Sequence, residues 1–168
     1  MTESRLYRLW QAAGLAACAG AMAFALYLQS VQGLEPCPMC IFQRVAMIAC
    51  GLFFALGLVH GPQAWGRWVY AGGASLAALG GGGIAARHVW LQSLPPDQVP
   101  SCGPSLDYLM DIMPLAEVIT TILRGDGNCA IIDWQFLGLS LPGWTLVGFA
   151  MLLAWALAGP FIGRRQPA

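Results

Sequence analysis

Residues Val45–Val59 read VAMIACGLFFALGLV, and the charge-free run that contains them extends from Arg44 to Arg67. Such a run has no side chain that water would pay to solvate. A helix satisfies its own backbone donors and acceptors, so it can sit where lipid offers none. Crossing a hydrocarbon core of about 30 Å takes roughly 20 apolar residues in helical form. The quoted core is short for that, and the helix is expected to borrow Ile41–Arg44 at one end.

Working outward, three further charge-free runs lie between Arg8 and Glu35, between Arg67 and Arg87, and between Asp133 and Arg164. The predicted spans are Trp10–Leu28, Val45–Val59, Val69–Ala86 and Leu146–Ile162, with loops at about 29–44 and 87–145. The expectation is therefore an all-α membrane protein, a four-transmembrane-helix bundle forming one integral membrane domain over residues 1–168. Composition agrees. Of 168 residues, 58% are hydrophobic and 10% charged, against roughly 25% charged in soluble proteins. Too few charges remain to cover a water-facing surface. The formal net charge is zero, which gives no reason to expect a nucleic-acid partner.

With four spans both termini share a side. That side collects Arg5, Arg8, Arg67, Arg164 and Arg165, with Glu3 as its acid. The other side holds Arg44, Arg87 and Arg124 with Glu35, Asp97, Asp107, Asp111, Glu117, Asp126 and Asp133. The arginine excess places the termini in the cytoplasm by the positive-inside rule; the acids weigh little. The first span is expected to stay uncleaved, because its apolar stretch exceeds the 7–15 residues usual for a signal core.

The second loop opens with a turn signal at Leu94-Pro95-Pro96-Asp97. Apolar residues through Leu106–Leu123 predict short amphipathic helices, interrupted at Pro114, along the membrane surface. Trp134, Phe136 and Trp144 suit the headgroup belt. Gly80–Gly83 lacks the Lys-Ser/Thr tail of a phosphate loop, so it reads as close helix packing or room for a flat ligand.

Of six cysteines, Cys18 and Cys50 fall inside spans and read as small hydrophobes. Cys37, Cys40, Cys102 and Cys129 fall two per loop on the non-cytoplasmic side, where disulfides are expected. Cys37-Pro38-Met39-Cys40 closes a tiny ring suited to reversible redox chemistry. Cys102 and Cys129 close a longer loop, and a structural staple worth roughly 3–4 kcal/mol explains that pair equally well. A zinc site is the competing reading. It is disfavoured because only one pair has knuckle spacing and the loops hold almost no histidine; no metal is expected.

Pro38 suits the first turn of a helix, where its missing N–H costs nothing. Cys40 then lies near the positive end of the helix dipole, with Arg44 four residues on along the same face. Both favour the thiolate, the nucleophilic form of sulfur.

The run Pro36-Cys37-Pro38-Met39-Cys40-Ile41-Phe42-Gln43-Arg44 resembles the signature of the disulfide bond formation protein B family, DsbB. So do Gly127-Asn128-Cys129, Trp134-Gln135-Phe136-Leu137-Gly138-Leu139 and Pro142-Gly143-Trp144, and the likeness covers essentially the whole chain. The resemblance implies a multi-pass protein of the bacterial inner membrane with both loops periplasmic. It implies redox-active disulfides Cys37–Cys40 and Cys102–Cys129, a soluble DsbA-like periplasmic thiol oxidase as partner, and a ubiquinone or menaquinone in the lipid as electron acceptor. The partner's thiolate would attack Cys102, freed Cys129 would attack Cys37, and Cys40 would face the quinone with Arg44. His88 matches a histidine near the quinone in that family, and an interfacial role fits it equally well. Two other readings stand beside this one. A vitamin K epoxide reductase type of membrane oxidoreductase carries its C-x-x-C after the loop cysteines, whereas here it comes first. A non-enzymatic membrane protein would use its disulfides only as staples.

Overall fold

The computed structural model describes residues 3–104, 106–125 and 127–163. Asp126, Arg164 and Arg165, which entered the charge count above, lie outside the described residues. The long helices are α1 (Glu3–Ser30), α2 (Pro38–His60), α3 (Trp65–Gln92) and α7 (Leu141–Ala158). The last runs on into a 3-10 turn, Gly159–Phe161. All four are long and apolar enough to cross a membrane. Between α3 and α7 lie α4 (Leu106–Ile112), α5 (Leu115–Arg124), α6 (Gly127–Ala130) and a two-stranded hairpin, β1 (Gln135–Phe136) and β2 (Leu139–Ser140).

The helices extend past their charge-free cores because their ends are built locally. Cys37 is the N-cap of α2 in extended conformation, and Pro38 opens the helix, so Cys40 does lie in its first turn. At the far end Gly61 takes φ +54° and donates its N–H to the Gly57 carbonyl at 3.0 Å. That is a left-handed C-cap of the kind glycine supplies without strain.

In the bundle α3 packs closely on both α2 and α7, α1 packs on α2, and α1 meets α7 only slightly. Small residues set the distance of approach. A Cβ on Gly81 would stand 2.2 Å from the Phe149 ring, and one on Gly73 would stand 2.3 Å from Phe53. Of the glycine run noted above, Gly81 thus receives an aromatic side chain of α7, while a Cβ on Gly80 or Gly83 would meet nothing. Where α1 and α7 do meet, near the termini, Trp10 and Trp155 stack at 3.6 Å between centroids and 6° between planes. Each indole N–H donates to the other residue's carbonyl, at 3.1 and 3.2 Å. Arg67 is buried at the same end; it donates to the carbonyls of Pro62 and Ile162 and lies over the Tyr7 ring.

A second core forms at the opposite end, where Met39, Leu91, Leu109, Val118, Ile122 and Cys129 are buried together. It docks the long loop on the bundle. The loop helices break at Pro114 as the sequence suggests, with Leu109, Val118 and Ile122 inward and Tyr108, Met110, Ile112 and Leu115 outward. Arg87 reaches from α3 to cap α5, donating to the carbonyls of Leu123 and Arg124 at 3.4 and 3.0 Å, as a cation at a helix C-terminus should. Gly125 follows with φ +83°, and its bare Cα lets Leu91 approach to where a Cβ would stand, 2.2 Å away.

Candidate functional site

The site lies between these two cores, at the loop end of the bundle. A cavity of about 1010 Å³ opens there, walled by α1, by the start of α2, by α7 and by the hairpin region. It exists because α1 and α7, closed at one end by the tryptophan stack, separate toward the other. Ala21 and Ala25 of α1 and Gly148 of α7 leave its walls flat, while Phe24, Trp134, Phe136 and Trp144 give it an aromatic rim. Phe24 meets Trp134 edge to face at 5.9 Å, and Trp144 donates to the Phe136 carbonyl at 3.0 Å.

Cys37, Cys40 and Arg44 are exposed to this cavity from α2. The sulfurs of Cys37 and Cys40 are 3.3 Å apart, so a small side-chain rotation closes them to the roughly 2.05 Å of a disulfide. Arg44 is held by the end of α1. It donates to Gln29 Oε1 at 2.5 Å and to the Ala25 carbonyl at 3.3 Å, both near the C-terminal end of α1. Gln29 thus holds the guanidinium against the cavity wall.

The second pair divides by exposure. Cys102 is exposed and Cys129 buried. Ser101 accepts the N–H of Gly127 at 3.1 Å, and the Asn128 side chain donates to the Gly103 carbonyl at 3.3 Å. These bonds lay the Cys102 segment along α6. A Cβ on Gly127 would come within 2.7 Å of the Pro100 carbonyl and 3.1 Å of the Cys102 sulfur, which is why glycine stands in the Gly127-Asn128-Cys129 run.

His88 joins the two pairs. It is 2% exposed, buried between α2, α3 and α6. Nε2 lies 2.9 Å from the Cys129 carbonyl and 3.8 Å from the Cys37 sulfur. Nδ1 lies 3.3 Å from the Gln43 amide nitrogen and 4.0 Å from the Cys40 sulfur. A carbonyl accepts and an amide nitrogen donates, so the neutral ring carries its proton on Nε2. The Cys37 sulfur, a His88 nitrogen and the Cys129 sulfur all lie within 4.8 Å of one another. Four of the six cysteines with one histidine and one arginine therefore gather at one end of the bundle. Cys18 and Cys50 stay in the apolar core among Met47, Phe54 and Ala78.

Sequence reasoning missed three residues here. Gln29 and Gln43 are ordinary amides whose roles depend on which helix faces them. Met39, between the two cysteines, is fully buried and pins the C-x-x-C turn to the loop core.

Four apolar helices with two cysteine pairs meeting beside a cavity define a membrane thiol–disulfide oxidoreductase. Residues 7–159 match the family described as Disulfide bond formation protein DsbB. A disulfide bond formation protein B of Chromohalobacter salexigens is 53% identical over 156 residues, covering 90% of this chain and 91% of that one. Those of Xanthomonas euvesicatoria (53% over 154 residues, 91% and 90% covered) and Hahella chejuensis (52% over 143 residues, 84% and 87% covered) are similar. The chain belongs to the DsbB family of membrane disulfide bond formation proteins.

Proposed function

We propose that this protein reoxidises a soluble periplasmic dithiol oxidase of the DsbA type and delivers the electron pair to a quinone dissolved in the bilayer of the bacterial inner membrane. Both termini are then cytoplasmic and both loops periplasmic. The observation that carries the reading is the placement of Cys129, buried and within 4.8 Å of Cys37, while its partner Cys102 is exposed. Exposure suits attack from outside, and burial beside the C-x-x-C suits onward transfer.

The exchange balances as follows. With both pairs oxidised, a thiolate of the partner attacks Cys102, forming a mixed disulfide and releasing Cys129. Cys129 attacks Cys37, the Cys37–Cys40 bond breaks, and Cys40 leaves as a thiolate. The partner's second thiol then displaces Cys102, which in turn attacks Cys129 and frees Cys37. One disulfide has left with the partner, and Cys37 and Cys40 hold two electrons and the corresponding protons. Rates of such exchanges follow thiolate fraction and access.

A quinone supplies a two-electron acceptor that can reach the site through lipid. The cavity fits such a ring: it is flat-walled, aromatic at the rim and large for a headgroup, since ligand pockets run roughly 300–1,000 Å³. Cys40 and Arg44 face it together. Arg44, held by Gln29, would keep a positive charge where a quinone oxygen gains negative charge, and it would also favour the Cys40 thiolate. His88 holds α3, Cys129 and the C-x-x-C in register. Whether ubiquinone or menaquinone is taken turns on ring substituents.

The test is direct. Purified protein in detergent, given a reduced thioredoxin-fold dithiol and a soluble quinone, should form quinol and disulfide in equal amounts. Disulfide exchange without quinol formation would leave the family activity intact and remove the quinone from the account.

A further inference from the structure

The side chains of Cys37, Cys40, Cys129 and His88 form a second chemical object when all the sulfurs are reduced. The relevant distances are 3.3 Å between the sulfurs of Cys37 and Cys40, 3.8 Å from Cys37 to His88 Nε2 and 4.0 Å from Cys40 to His88 Nδ1. The Cys129 sulfur lies within 4.8 Å of both the Cys37 sulfur and a His88 nitrogen. Cys37, Cys129 and a His88 nitrogen are thus three donors in mutual reach, and Cys40, 3.3 Å from Cys37, has only to turn inward to complete a Cys₃His set, in which zinc sits about 2.3 Å from sulfur and 2.0–2.1 Å from nitrogen. The C-x-x-C supplies one knuckle, and the other two ligands arrive from α3 and α6.

We propose that the fully reduced protein binds a divalent zinc-type cation tetrahedrally through Cys37, Cys40, Cys129 and His88, so that metal binding and disulfide exchange compete for the same sulfurs. Binding is not a redox step: the cation replaces the thiol protons, which are released to solvent. Its charge balance is favourable, because one divalent cation with three thiolates leaves a single negative charge, and Arg44 stands one turn along α2 from Cys40. The outer layer is also in place. Histidine ligands keep a partner on the nitrogen that does not bind metal; with Nδ1 as the ligand, the cation displaces Gln43 there and Nε2–H keeps the Cys129 carbonyl as its acceptor. Burial of His88 and Cys129 excludes competing water. Soft thiolate ligands with one imidazole favour zinc over magnesium or calcium. The cavity beside Cys37 and Cys40 provides the way in.

Cobalt reports this geometry. The purified full chain, stripped of quinone and reduced with a phosphine under argon, is titrated with Co²⁺ and then with Zn²⁺. The expected result is the visible d–d absorption of a tetrahedral thiolate centre, saturating at one equivalent and displaced by one equivalent of zinc. His88→Ala and Cys129→Ser should each weaken zinc binding at least about tenfold, whereas Cys102→Ser should leave it unchanged. Oxidising the wild-type protein with diamide should release the metal, a check that needs no variant to fold. Absence of tetrahedral bands, retention of metal after oxidation, or loss of binding in Cys102→Ser would each overturn the proposal. Metal binding requires reduced sulfurs but no electron acceptor. Quinol formation without a cobalt centre would therefore sink this inference alone, and a cobalt centre without quinol formation would sink the oxidase reading alone.

Discussion

Gln29 donates nothing to chemistry, yet it sets where the guanidinium of Arg44 points. A hydrogen bond to a charged group contributes on the order of 1.5–3 kcal/mol. Gln29→Ala should therefore raise the quinone KM about tenfold and leave exchange with a reduced dithiol partner nearly unchanged. Arg44→Ala should do the same more severely. Steady-state kinetics that vary quinone and dithiol separately check both, and equal losses on the two substrates would make Arg44 a general support of the fold. At the same scale, Cys102→Ala should abolish the mixed disulfide with the partner, while Cys129→Ala should accumulate it on a non-reducing gel. The sequence made the four cysteines and Arg44 legible, because C-x-x-C spacing and a proline at the helix start carry their own chemistry. It left His88 divided between two roles and hid Gln29 and Gln43. Their meaning comes from contacts of α2 with α1 and α3, and such contacts leave no periodic mark on the chain.

At the scale of elements, the close approach of α3 and α7 depends on Gly81. Gly81→Ala places a methyl 2.2 Å from the Phe149 ring, and overpacking of this kind typically costs about 1–3 kcal/mol. Thermal unfolding in detergent should show a lowered Tm, partly recovered in Gly81→Ala with Phe149→Leu. A variant as stable as the parent would mean the helices can part without cost. The four long helices were legible from charge-free runs alone, and Pro114 marked the break between α4 and α5. The hairpin was not. Its two-residue turn puts Leu137 at φ +50° and Gly138 at φ +79°, as a type I′ turn requires. Strands of two residues are too short for alternation to register. Met39 likewise reads as a spacer between cysteines, and its burial follows only once the loop helices dock over it.

Across the whole molecule, the bundle is closed at one end by the stack of Trp10 on Trp155 and open at the other where the cavity lies. An aromatic pair contributes roughly 0.5–1.5 kcal/mol beyond its buried area, and this one also carries two hydrogen bonds. The closed end lets α1 and α7 diverge without separating, which leaves room for the cavity between them. On the proposed route, electrons cross from the outer pair to the C-x-x-C through Cys129 and Cys37. The double variant Cys40→Ser, Cys102→Ser probes this step, because it leaves Cys37 and Cys129 as the remaining thiols of the two pairs. After mild oxidation and proteolysis without reductant, mass spectrometry should find the peptides of Cys37 and Cys129 joined by a disulfide in most of the protein. Both cysteines recovered as free thiols from folded, membrane-inserted protein would contradict the account.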